Sequence, residues 1–166
     1  TWASYPHAYQ EEFVRDLFYA ANTFGERHGK RRVDRFSLFE EQALNESSEC
    51  KIIGLTLETR PDTIDACELR RLRHYGCTRV QLGVQHADDT VLRNINRGCS
   101  TADTVTALAL LKDACYKVDI HLMPNLPGAS LDDDRCMFRH MLHEQTLQAD
   151  QWKIYPCEIV PWTVIK

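Results

Sequence analysis

The sequence has no two cysteines close enough to share a small metal site. Its seven, at positions 50, 67, 77, 99, 115, 136 and 157, never fall closer than ten residues apart. That spacing excludes a zinc ribbon, a CxxC redox motif and the CxxxCxxC loop of a bound iron–sulfur cluster, so no residue of this chain is expected to ligate a metal. The odd count, and positions mostly within apolar periodic segments, predict reduced, buried thiols in a cytosolic or similarly reducing compartment. Long hydrophobic runs are absent as well. None approaches the roughly 18 residues of a membrane span, and the N-terminus lacks a signal-peptide pattern, so no membrane partner is expected. There is no Walker loop, no GxGxxG and no nucleophile elbow, which removes the commonest nucleotide-binding and hydrolase signatures. Charge of one sign is also scarce. With 24 acidic and 20 basic residues the net charge is −4, which does not advertise a nucleic-acid binder.

What is there is unevenly placed. Arg27, Lys30, Arg31, Arg32 and Arg35 crowd one stretch, Arg70, Arg71 and Arg73 another, and Asp132, Asp133 and Asp134 a third. Clustered Lys and Arg, rather than net charge, carry phosphate contacts, so the basic runs are the candidate RNA-binding surface. At 166 residues the chain is long enough for one domain with a real core. It starts without methionine and stops after an apolar run, so a piece of a larger protein is expected.

Two periodicities alternate along it. Tyr9, Phe13, Leu17, Ala21 and Phe24 recur at helical spacing before Gly25. A second helix is expected over 36–49. The run 52–57 then reads as a strand buried on both faces, and Asp62 as the cap of a helix reaching Gly76. Further strands are expected at 79–84, 117–123 and 151–155. Helices at 88–96, 101–116 and 130–147 separate them, with Val105, Leu108, Leu111 and Cys115 facing in. Strands alternating with helices imply a parallel sheet with right-handed crossovers. Four strands are too few to close a barrel, so the sheet is open or partial.

Ligands of parallel sheets sit beyond the carboxyl ends of the strands. The first strand ends at Glu58 and Arg60 and the second at Gly83-Val84-Gln85-His86. The third carries His121 and then "MPNLPG", and the fourth ends at Tyr155-Pro156-Cys157-Glu158. Each polar residue alone has a structural use. A polar group at every strand end is not needed for packing and carries a desolvation cost, so together they point to a site. Carboxylate, amide and imidazole suit ribose hydroxyls and an adenine edge, so a nucleoside-like ligand is expected.

The stretches "GLTLETRPD", "YGCTRVQLGVQ", "NRG", "HLMPNLPG" and "WKIYPCEIVPWT" resemble, in order and spacing, the radical S-adenosylmethionine (SAM) domain of the Elongator catalytic subunit family. "ETRPD" with "GCTR…GVQ" is specific to that family, whereas "GVQ" and "LPG" occur across radical SAM enzymes. The resemblance implies an α/β fold: a partial (β/α)6 barrel of which this chain supplies four parallel strands, the third to the sixth. It implies S-adenosylmethionine and a 4Fe–4S cluster as cofactors and acetyl-CoA as co-substrate. The substrate would be tRNA, modified at carbon 5 of its wobble uridine toward a carboxymethyl-type group. Elongator-type partner subunits or self-association, and a cytoplasmic location with a nuclear pool, follow from the same likeness.

By that similarity Glu58, Gln85, Arg97, His121 and Thr1 bind the cofactor. Arg60, Tyr155 and Cys157 line the substrate side. His121 departs from the coproporphyrinogen oxidase pattern, which has aspartate there. The family's cluster cysteines, CxxxxxxxxxCxxC, lie upstream of the matching region and its GNAT acetyltransferase domain downstream, so the fragment alone is expected to be inactive. Two alternatives stand: a cluster-free RNA-binding or scaffold subunit descended from the fold, and a radical SAM enzyme with another substrate.

Overall fold

The computed structural model describes residues 1–26 and 31–158. Helix α1 (His7–Asn22) and helix α2 (Leu38–Asn45) precede a regular alternation. Strand β1 (Leu55–Thr59) leads to α3 (Ala66–His74), β2 (Cys77–Gln85), α4 (Asp89–Asn94) and α5 (Thr101–Asp113). Strand β3 (Lys117–Leu122), α6 (Leu131–His143) and β4 (Gln151–Ile154) complete it. The four strands run parallel in the order β1-β2-β3-β4. No helix among the described residues is long and apolar enough to cross a membrane.

Sequential parallel strands joined by right-handed crossovers carry all their helices on one face. The packing shows it. Leu57, Val80, Leu82, Val84, Val118, Ile120 and Leu122 form one core with Val14, Phe18, Leu72, Leu108, Leu111, Met137 and Met141 of the helices. Among the described residues, no helix covers the opposite face of the sheet. Strand residues therefore alternate apolar toward the helices and polar toward the open side.

Local chemistry sets the helix starts. Ser37 with Glu40, Ser100 with Asp103 and Ser130 with Asp133 each form a reciprocal capping box, in which hydroxyl and carboxylate satisfy the first free N–H groups. The acidic run 132–134 is thus the first turn of α6, where carboxylates also meet the positive end of the helix dipole.

Several expectations are corrected. Strand β1 begins at Leu55, not at Ile52, and Ile53 is 95% exposed. It is not buried on both faces: Leu57 and Thr59 point into the core, while Thr56 and Glu58 face out. Asp65, not Asp62, caps α3 by accepting the Glu68 N–H; Asp62 instead accepts from Arg60. Helix α1 turns its Tyr9, Phe13 and Leu17 stripe outward and buries Gln10, Val14 and Phe18. Gln10 can be buried because its amide donates to the carbonyls of Trp2 and Tyr5. Cys115 is exposed in a left-handed turn after α5. The cysteines are free, but Cys50, Cys67, Cys115 and Cys136 are exposed, and only Cys77 and Cys157 are buried.

Candidate functional site

The open face is laid out by register. Glu58, Gln81, Asp119 and Gln151 form one row across the four strands, and Gly83, His121 and Lys153 the next row toward the carboxyl ends. Paired residues of parallel strands point to the same side, so both rows line one shallow hollow. Its floor is an ion pair: Asp119, 1% exposed, accepts from Arg79 and, at 3.4 Å, from Gln81.

Above that floor the side chains converge. His121 Nδ1 lies 3.7 Å from Glu58 Oε1, although the two residues stand on β1 and β3 with β2 between them. They meet because β2 offers only Gly83 at that level. A Cβ on Gly83 would lie 2.6 Å from Arg97 Nη2 and 3.2 Å from Gln85 Nε2, so both long side chains occupy the space that glycine leaves. Arg97 donates to the Gly83 carbonyl. Gln85 reaches the hollow through a bulge: the β2–β3 register shifts between Gly83 and Gln85, and Gln85 adopts φ 74°.

Three polar atoms in this cluster are buried with no partner: Gln85 Oε1, Arg97 Nε and His121 Nε2. Buried polar atoms are nearly always paired, so three orphans in one hollow mark a place where a polar ligand supplies the missing hydrogen bonds. Burial holds the His121 imidazole below its usual pKa; the Glu58 carboxylate works the other way and Lys153 adds to the lowering. His121 is therefore neutral near pH 7. With its Nδ1 proton assigned toward Glu58, Nε2 is left as an acceptor.

Burial also lowers the pKa of His86, outweighing Asp134, Asp88 and Asp133. A histidine held neutral by the fold lets the unfolded chain take up protons first as pH falls. Stability is then full above about pH 6.5 and erodes below it. Thermal unfolding is expected to show the midpoint falling as pH drops below about 6.5, with a shallower fall in His86→Gln.

The remaining expected site residues divide. The Tyr155 ring stands edge-on to His121 at 5.7 Å and is half exposed, so it lines the hollow. Cys157 does not: it is buried with Val91 and Leu126 in a small second core. Arg60 is held by both oxygens of Asp62 at 2.8 Å and by the Gly98 carbonyl at 3.0 Å, tying the end of β1 to the loop before α5. Thr1 shares its hydroxyl with Ser4, and no hydrogen bond among the described residues joins it to the hollow.

Arg27 and Lys30 lie outside the described residues. Arg31 donates to Thr23, Arg35 pairs with Asp16 at 3.1 Å, and Arg32 is locked to Glu41. Arg70 is exposed on α3. Arg73 donates to the Ala114 carbonyl and covers the Tyr116 ring, beside the start of β3 and at the opposite end of the sheet from the hollow. Sequence reasoning reads Gly83 as leaving room for a close approach, as found, but misses Asp119 and Lys153. Alternation in "VDIH" and "QWKIY" is the signal that places the last two on the open face.

A four-stranded half-barrel, helices on one side and a polar hollow at the strand ends on the other, is the architecture of an S-adenosylmethionine-dependent radical enzyme domain. The radical SAM superfamily model matches residues 15–139, and the chain belongs to that superfamily. It is 38% identical over 155 residues to the "tRNA uridine(34) acetyltransferase" of Methanocaldococcus infernus, covering 93% of this chain and 27% of that protein. It is 34% identical over 163 residues to "Elongator complex protein 3" of Saccharomyces cerevisiae, covering 98% of this chain and 28% of the relative. The solved structure of the archaeal Methanocaldococcus infernus Elp3 with an N-terminal deletion superposes with a TM-score of 0.87 at 37% identity, over 98% of this chain and 36% of that one. The chain thus spans about a third or less of these proteins.

Proposed function

We propose that this chain is the cofactor-holding later part of a radical SAM enzyme that modifies the wobble uridine of tRNA. The observation that carries the reading is the trio of unpartnered buried atoms, Gln85 Oε1, Arg97 Nε and His121 Nε2, gathered over Gly83 beside Glu58. Their chemistry fits S-adenosylmethionine. Glu58 and the neutral His121 offer acceptors to vicinal ribose hydroxyls, Gln85 a further acceptor, and Arg97 a charged donor to the methionine carboxylate. Bound there, the cofactor supplies hydrogen-abstracting radical chemistry; the protein's part is orientation and exclusion of water.

The described residues contain no group of three or more His, Cys, Asp or Glu able to hold a metal ion. The relatives are several times longer than this chain, and the proposal assigns the cluster ligands to sequence preceding it and an acetyltransferase domain that takes acetyl-CoA to sequence following it. The names of the relatives support tRNA uridine as substrate; a carboxymethyl-type product is proposed from the resemblance of the sequence motifs alone. Tyr155 and Lys153 face the same hollow from its far side and are assigned to the uridine and its acyl donor. The exposed Arg70, with Arg27, Lys30, Arg31 and Arg35 but not Arg32, is assigned to the RNA backbone.

The test is anaerobic reconstitution of the full-length protein with iron and sulfide. Glu58→Ala is expected to retain the cluster's absorbance while release of 5′-deoxyadenosine falls about a hundredfold, the effect of losing two hydrogen bonds to a charged acceptor. Cleavage at the unmutated rate would overturn the assignment.

A further inference from the structure

We propose that His86 and Asp134 form a positioning pair, outside the hollow, that clamps the end of β2 to the loop after β3 and so holds Gln85 in place. The pair joins two segments that each contain a left-handed residue. Gln85 has φ 74°, a left-handed conformation unfavourable for its long side chain, and Asn125 φ 64°, the same region, which asparagine tolerates better. Such residues persist only where their surroundings over-determine them.

The surroundings here form one chain of contacts. His86 is 1% exposed and follows Gln85 directly. Its Nδ1 accepts the Asp88 N–H at 3.0 Å, which fixes the tautomer: the ring proton sits on Nε2 and leaves no lone pair there for a metal. That Nε2 faces Asp134 Oδ1 at 3.6 Å, just beyond hydrogen-bond distance, and neither atom has a hydrogen-bond partner among the described residues. The second oxygen, Oδ2, accepts the Asn125 N–H at 2.9 Å. The Met123 N–H closes the loop onto the Gln85 carbonyl at 2.8 Å. The backbone on either side of the hollow's rim is thus brought together around one imidazole and one carboxylate that face each other. Neither residue reaches the hollow itself.

The binding arm of the test rests on the cofactor reading above; the exchange arm does not. His86→Phe keeps the ring's bulk and removes both nitrogens, whereas His86→Gln keeps an N–H donor toward Asp134. In the full-length protein without ligand, amide hydrogen exchange over 122–129 is expected to quicken at least about tenfold in His86→Phe, with α3 and α5 unchanged. S-adenosylmethionine affinity is expected to fall about tenfold, the factor to which 1.4 kcal/mol of lost preorganisation corresponds. His86→Gln is expected to bind within about twofold of the unmutated protein.

A purely space-filling His86 predicts the reverse order, with Phe tolerated and Gln not. That result, or unchanged exchange in His86→Phe, overturns the pair. If the unmutated protein fails to bind S-adenosylmethionine, the proposed function falls, while the exchange measurement still decides the clamp.

Discussion

Gly83→Val is expected to leave the fold intact and lower S-adenosylmethionine affinity by at least a hundredfold, about 3 kcal/mol. Valine suits a strand and Gly83 lies in β2, so the backbone does not object. The new Cβ, however, falls 2.6 Å from Arg97 Nη2 and 3.2 Å from Gln85 Nε2. The far end of Arg97 must swing away, and the valine methyls stand between Glu58 and His121, which approach across this gap to 3.7 Å. Three ligand contacts at about 1 kcal/mol each are then lost or displaced. Isothermal titration of the full-length protein measures the affinity, and circular dichroism the fold. A dissociation constant within threefold of the unmutated one would show that the hollow is not where the cofactor sits.

Arg32→Glu is expected to unfold the N-terminal helices rather than merely weaken RNA binding. Glu41 is fully buried and receives both terminal nitrogens of Arg32 at 2.7 Å, the Phe36 N–H at 3.0 Å and the Asn22 amide at 2.9 Å. Burial alone would raise the pKa of Glu41, but these donors outweigh it and hold the carboxyl below its usual range. Removing one partner of a buried pair costs about 3–5 kcal/mol because the other charge is stranded. For a chain of this length that is a drop in melting temperature of about 6–20 °C. Arg31→Glu, which loses a single bond to Thr23, is the contrasting control and is expected to shift the midpoint by no more than about 4 °C. Equal, small shifts for the two variants would return Arg32 to the free basic surface.

Much of this molecule could be read from its sequence, for definite reasons. Four β-rich runs spaced by helical periods dictate parallel strands in chain order, and the strand-end rule then nominates Glu58, Gln85 and His121 without coordinates. The misreadings have a common origin: a polar residue that finds a partner behaves as apolar. Gln10 hides the true inner face of α1, so the louder Tyr9, Phe13 and Leu17 stripe is mistaken for it. Glu41, nine residues beyond Arg32, absorbs it in a way no local pattern announces. The apolar "KIIGL" suggests a doubly buried strand, yet pairing starts only at Leu55. Gln85 is the sharpest case. Its side chain enters the hollow through a bulge and a left-handed backbone, and nothing in "LGVQH" marks glutamine, rather than the glycine two residues earlier, as the residue that bends.

One consequence follows from the floor of the hollow. Arg79 cancels the charge of Asp119 within the fold, so the base of the cleft is electrically quiet. The charges left over are Glu58 on β1, Arg97 over Gly83 of β2 and Lys153 on β4, the first and last three strand spacings or roughly 14 Å apart. A molecule lying crosswise between them feels a gradient from negative to positive. A zwitterion or an elongated dipole is turned end for end by that gradient before it makes a single close contact.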